Sequence, residues 1–148
     1  MSNTTRRSFV GGGGAALAAA SVSGANEKVV LALVGAQNQG RGVARRAIQA
    51  GAVIKTLCDI DEAVIGKVSP EIEKAQGRAL GSVREYRRVL DDKDIDAVVI
   101  VTPDHWHTHM ALLACQAGKD VYLEKPVSQT IREGQSIRDA ARKYNRVM

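Results

Sequence analysis

Short, wholly apolar runs alternate along this chain with longer stretches in which apolar residues recur at helical spacing. The first run, Val29-Val30-Leu31-Ala32-Leu33-Val34, shows no polar face to water and ends at a glycine, so it reads as a strand buried on both sides. The turn from Gly35 to Gly40 feeds a predicted helix from about Arg41 to Ala50, stopped by Gly51. Val53 to Cys58 forms the second strand, closed by Asp59-Ile60-Asp61. Asp61 is placed to cap a helix to about Lys67, Pro70 to open a further turn or helix through Ala75, and Gly77 to end it. A short third strand is expected near Ser82 to Arg84 and a helix around Arg87 to Leu90. Asp96 to Val101 is the fourth strand, His105 to Ala117 a helix, Asp120 to Leu123 the fifth strand, and Thr130 to Tyr144 an amphipathic final helix.

Strands alternating with helices at this spacing imply right-handed crossovers and an α/β, doubly wound parallel sheet. A sixth strand is expected after the last helix, where the chain stops at Val147-Met148, and no internal repeat is present. Loops beyond the carboxyl ends of such strands line the ligand crevice. Residues Thr102 to His107 and Glu124 to Pro126 should therefore share one mouth.

Composition narrows the function. The 148 residues suffice for one domain, and 45% hydrophobic with 25% charged residues is the balance of a soluble globular protein. Aromatic residues at 3% leave no stacking platform for single-stranded nucleic acid. The net charge of +5 falls to +3 once Arg6 and Arg7 are set aside, leaving 19 basic against 16 acidic side chains. The positives are scattered, as on solvated helix faces, and argue against a nucleic-acid partner. Cys58 and Cys115 read as small buried hydrophobes, with no metal-ligand cluster around them.

Residues 1–25 stand apart. Thr5-Arg6-Arg7-Ser8-Phe9-Val10 precedes a weakly apolar Gly/Ala run from Gly11 to Ala20, then the small tract Ser21 to Ala25. That order resembles a twin-arginine export signal, a receptor-read address and not an anchor, with cleavage before Asn26 and a periplasmic destination. The run is too short and glycine-rich to span a membrane. The rival reading is a disordered tail with accidental arginines. The mature domain is taken as residues 27–148.

Gly35 and Gly40 match the first and third glycines of G-x-G-x-x-G, where one permits the tight turn and the other lets helix and strand approach. The middle position is Gln37, followed by Asn38, so a diphosphate cannot come as near the backbone there, although free amides at the helix start still favour an anion. Asp59 falls about 20 residues beyond this turn, where an acid accepts hydrogen bonds from ribose hydroxyls and repels a 2′-phosphate. It argues for NAD over NADP. The alternative is that Asp59, like Asp61, only caps the next helix.

Thr102-Pro103-Asp104-His105-Trp106-His107, then Ala117-Gly118-Lys119-Asp120-Val121, then Glu124-Lys125-Pro126 complete a pattern. With the glycine turn and Asp59, it resembles the amino-terminal, Rossmann-type domain of the glucose-fructose oxidoreductase, inositol dehydrogenase and MocA family, over about Val29 to Arg146. The Asp-His-Trp-His turn looks like the exported sugar-oxidoreductase branch. The resemblance implies an NAD-dependent enzyme moving hydride from a sugar or polyol hydroxyl. By it, Lys125 sits by nicotinamide and substrate and takes part in proton transfer, with Glu124 and Pro126 shaping the turn that aims it. Pro126 is expected after a cis bond. Thr102 and Pro103 lie against the cofactor, His107 matches the family histidine and is a second catalytic candidate, and His105 and Trp106 are candidates for cofactor contact. The bland alternative makes Lys125 a surface lysine and His105, His107 and His109 helix-start polar residues, with His109 a bystander in either case. Relatives also carry a second domain that supplies much of the sugar pocket and the homo-oligomer contact. Its absence from this chain leaves a non-catalytic dinucleotide-binding module, or a decayed gene fragment, as the rival to an oxidoreductase half.

Overall fold

The computed structural model describes residues 28–148. The export leader expected over residues 1–25 therefore lies outside the described residues. Strands β1 (Val30–Val34), β2 (Val53–Cys58), β3 (Gly81–Val83), β4 (Ala97–Ile100) and β5 (Asp120–Leu123) are all parallel, in the order β3-β2-β1-β4-β5. Between and after them come α1 (Gln39–Gln49), α2 (Glu62–Gln76), α3 (Tyr86–Asp91), α4 (Asp104–Gln116) and α5 (Ile131–Lys143).

The two-residue alternation of strand side chains splits the core in two. Leu31 and Leu33 of β1, with Val99 of β4, pack under α1 and α2 against Val43, Val68 and Ile72. Ala32 and Val34, with Val98 and Ile100, face α3, α4 and α5 against Val89, Ala111, Cys115 and Ile137. Each fully buried aliphatic side chain here stabilises the fold by roughly 1.5–3 kcal/mol, which accounts for the continuous apolar runs in the sequence.

The structure corrects two expectations. The α2 segment is one helix with Pro70 inside it, not two pieces. Val68 and Ile72 on either side of Pro70 are buried, while Pro70 and Gly66 are exposed. The Gly66 carbonyl that loses its donor to proline thus faces water, and burial of the other face carries the helix through. Helix α1 begins at Gln39, earlier than the expected Arg41, so Gly40 is helical.

No sixth strand is present among the described residues. After α5 the chain nevertheless returns to the sheet edge, where Val121 N–H donates to Val147 O at 2.9 Å and Val147 N–H to Asp120 Oδ1 at 2.9 Å.

At the entering end of the sheet, polar groups are paired. Lys119 is 6% exposed, and its ammonium donates to Asp92 O at 2.6 Å and Ile95 O at 2.8 Å. Lys55 Nζ bridges Asp92 and Asp94, which holds the Asp92 carboxyl below the usual carboxylate range. This end is closed by structure.

Candidate nucleotide-binding site

The strand order reverses between β1 and β4, and a cleft of about 650 Å³ opens at their carboxyl ends. Its walls include Gly35, Gln37, Asn38, Asp59, Thr102, Pro103 and Trp106.

Both glycines of the turn are demanded by close approach. Gly35 has φ +84°, and a Cβ there would lie 2.6 Å from Val101 O. A Cβ on Gly40 would lie 2.1 Å from Gly35 O. Neither site admits alanine without backbone movement. Gln37 needs no such freedom: the positive φ of the turn, 26°, falls on Asn38, a residue that tolerates it. The Gln37 carbonyl accepts from Gly40 N–H at 2.7 Å, and its side chain is exposed at the cleft edge.

The amino terminus of α1 is unlike those of the other described helices. Side chains of Asp61, Glu85 and Thr130 cap α2, α3 and α5, and α4 has Asp104 in its first turn. Helix α1 has no side-chain cap and no acid in its first turn. Apart from the Gly40 N–H, which Gln37 O takes, its amino end therefore suits an anion.

Asp59 does not cap α2, whose N-cap is Asp61; its carboxylate is instead anchored to the backbone beside the glycine turn. Its Oδ2 accepts from Ala36 N–H at 2.9 Å and its Oδ1 from Asp61 N–H at 3.0 Å. A carboxylate offers about four lone-pair sites, so two remain for ribose hydroxyls while the backbone bonds fix its position. Beneath it, burial and then the charges of Asp59 and Glu85 push the Cys58 thiol up to about 11, so it stays protonated and unreactive.

Helix α4 contributes one face to the cleft: Trp106, His109, Met110 and Leu113, at i, i+3, i+4 and i+7. His109, taken from sequence as a bystander, is therefore a wall residue, and the helical spacing from Trp106 was the signal for it. Trp106 is 49% exposed, with its ring centroid 6.4 Å from that of His109. His105, proposed for cofactor contact, does not line the cleft. It sits one residue, or about 100° of helix, around from Trp106 and lies 3.9 Å from Asp104.

His107 is the larger correction. It is 1% exposed, with Nδ1 2.7 Å from Pro126 O and Nε2 2.8 Å from Thr102 O. Both ring nitrogens are thus engaged by main-chain carbonyls, and neither opens onto the cleft. His107 is a positioning residue that ties the turn after β4 to the turn after β5.

Glu124, Lys125 and Pro126 adjoin the cleft without lining it. The Glu124 carboxylate accepts from Gln39 Nε2 at 3.2 Å and from Lys125 N–H at 3.0 Å. The backbone amide of Lys125 first, and then the Gln39 amide and the charges of Lys125 and Arg46, hold this carboxyl below its ordinary range. The Lys125–Pro126 bond is cis. The Lys125 ammonium has no hydrogen-bond or ion-pair partner among the described residues.

A family model described as an oxidoreductase family with an NAD-binding Rossmann fold matches residues 10–148. The chain belongs to that family. Among curated family members, it is 37% identical to a levoglucosan dehydrogenase of Pseudarthrobacter phenanthrenivorans over 85 residues, covering 55% of this chain and 22% of that protein. It is 34% identical over 95 residues to an alpha-N-acetylgalactosaminidase of Shewanella oneidensis, covering 62% of this chain and 21% of the relative. A solved NAD-binding oxidoreductase from Klebsiella pneumoniae superimposes with a TM-score of 0.70 at 26% identity, covering 81% of this chain and 33% of that one. A levoglucosan dehydrogenase solved with NADH and levoglucosan gives 0.66 at 28% identity, covering 82% and 34%. The chain thus spans about a fifth of the curated relatives and a third of the solved chains.

The residues present fit the family's cofactor. Two glycines whose Cβ atoms would strike the backbone, an uncapped helix start and a fixed carboxylate all border one cleft.

Proposed function

We propose that NAD lies across the carboxyl ends of β1, β2 and β4. Its diphosphate rests over the turn from Gly35 to Gly40, its adenosine ribose on Asp59, and its nicotinamide toward Thr102, Pro103 and Trp106, with Lys125 at the rim. The observation that carries this reading is the convergence of the glycine turn, the bare amino terminus of α1 and Asp59 on a single cleft at the switch point.

In the complete protein this domain serves oxidation of a sugar or polyol hydroxyl. The support is the likeness to levoglucosan dehydrogenase. When bound, NAD supplies the hydride acceptor. Lys125 Nζ, which has no partner among the described residues, orients the hydroxyl and, as the neutral amine, takes its proton to become the ammonium as hydride passes to NAD. His107 and Glu124 position the turns that present Thr102 and Lys125.

The likeness to an alpha-N-acetylgalactosaminidase favours a second reading, in which the complete protein cleaves a glycosidic bond. Net accumulation of NADH with a free sugar supports oxidation; sugar release from a glycoside without accumulation supports cleavage.

Trp106 is the only tryptophan, and it stands in the cleft, so its emission reports occupancy directly. Titration with NADH should give saturable quenching and sensitised cofactor fluorescence. Asp59→Asn, which weakens charge-assisted bonds to ribose, should raise Kd about fivefold, equivalent to about 1 kcal/mol. A folded chain whose Trp106 emission is indifferent to NADH ends the proposal.

We further infer that residues 1–25 direct export by the twin-arginine route to the periplasm. The support is the order Arg6-Arg7, apolar run, small-residue tract. Replacing both arginines by lysine should hold the protein in the cytoplasm, and an unchanged location would refute the assignment.

A further inference from the structure

Two arginines of the cleft lining stand in exposed ion pairs, Arg84 with Glu62 and Arg87 with Glu85. Pairing of β2 with β3 continues past the strands, because Asp59 N–H donates to Val83 O at 3.3 Å. The next residue, Arg84, therefore emerges beside Asp59 and Ile60, and all three line the cleft. The Arg84 guanidinium is held 3.0 Å from a carboxylate oxygen of Glu62, the first residue of α2. Both side chains are largely in water, at 63% and 75% exposure. An exposed pair of this kind adds little to stability, so the fold has no need of it.

Its place gives it another use. Asp59 cannot turn aside, because both its oxygens are anchored to backbone amides. Beside the fixed charge of Asp59 the cleft holds two movable guanidiniums, Arg84 paired with Glu62 and Arg87 paired with Glu85, and Arg84 is the one that emerges next to Asp59. Arginine can fork onto a phosphate with two parallel hydrogen bonds, and only when its donors are free.

We propose that Glu62 and Arg84 together set the choice between NAD and NADP, with Glu62 restraining the guanidinium that emerges next to Asp59 and could receive a 2′-phosphate there. This rests on the placement of the adenosine ribose at Asp59 given above. With Glu62 in place, a 2′-phosphate meets the charges of Asp59 and Glu62 and a guanidinium drawn toward Glu62 through Nη1. With Glu62 neutralised, Arg84 is released to pair with the phosphate.

The test is titration of the full chain with NADH and with NADPH, read by Trp106 emission, in the wild type, Glu62→Gln, and Glu62→Gln combined with Arg84→Ala. The wild type should prefer NADH. Glu62→Gln should move the ratio of the two dissociation constants about tenfold toward NADPH, the scale of one charge-assisted phosphate contact. Arg84→Ala in that background should return the ratio to the wild-type side. A ratio that does not move in Glu62→Gln while NADH still binds overturns this inference and leaves the cleft assignment standing. A gain in NADPH affinity that persists without Arg84 also overturns it. A wild type that binds neither cofactor overturns the cleft assignment itself, and this inference with it.

Discussion

Lys119 and Lys125 flank the same strand, β5, one at the end where the chain enters the sheet and the other at the end where it leaves. Lys119 is buried, and its ammonium donates to two main-chain carbonyls that close the loop before β4. Lys125 is exposed, and its ammonium has no partner among the described residues. Identical chemistry is spent on structure at one end and left available at the other. The difference follows from the parallel sheet itself. Entering loops can pair every polar group, while the leaving loops diverge at the switch point and keep a crevice whose groups face a ligand.

The largest effect that bears on this comparison is expected for Lys119→Met. It leaves the carbonyls of Asp92 and Ile95 buried without donors, at a cost of about 2–4 kcal/mol, visible as a lower denaturant midpoint. The folded fraction should bind NADH normally. Lys125→Met should do the reverse, with an unchanged midpoint and, on the proposed function, lost oxidation of the sugar or polyol hydroxyl. Equal stability losses at the two positions would dissolve the contrast.

A smaller effect sharpens the boundary between the two ends. His107→Asn shortens the bridge between Thr102 O and Pro126 O, so roughly 1–3 kcal/mol should be lost. Because that bridge joins the cofactor turn to the Lys125 turn, NADH affinity should fall as well. A stability loss with affinity and turnover intact would make His107 a core residue only.

The smallest effect is electrostatic and belongs to the leaving end. Glu124 is held below the ordinary carboxyl range by the Lys125 amide, the Gln39 amide and nearby positive charges. A depressed carboxyl contributes stability that is present above its unfolded-state pKa and lost as pH falls through its folded-state value. Glu124→Gln should therefore lower stability slightly near neutrality and flatten the acid side of the stability profile below the usual carboxyl range. A parallel offset at every pH would assign Glu124 a packing role instead.

Much of the fold was legible because its signals are local. A strand buried on two faces must be apolar without interruption, and the run from Val29 to Val34 shows that directly. Gly35, Gly40 and Asp59 stood out because turn and strand end occur at a fixed separation. The continuity of α2 was hidden, because Pro70 breaks a helix or not according to which way it faces, and only packing reveals that. His105, His107 and His109 are three polar residues spread over just more than one turn of α4. His107 falls on the opposite side from His105 and His109 and is buried, while those two lie about 40° apart and only His109 borders the cleft.

From the order of its residues alone, this chain was committed to alternating strands and helices, to a glycine turn before α1 and to an acid after β2, since each needs only near neighbours in sequence. Tertiary structure decided which side chains at the crevice are spent and which are free. It turned His107 inward between two carbonyls, anchored Asp59 to the backbone and left the Lys125 ammonium without a partner among the described residues. The physical reason is that a hydrogen bond between residues far apart in the chain depends on where the sheet brings their backbones, which no stretch of sequence specifies by itself.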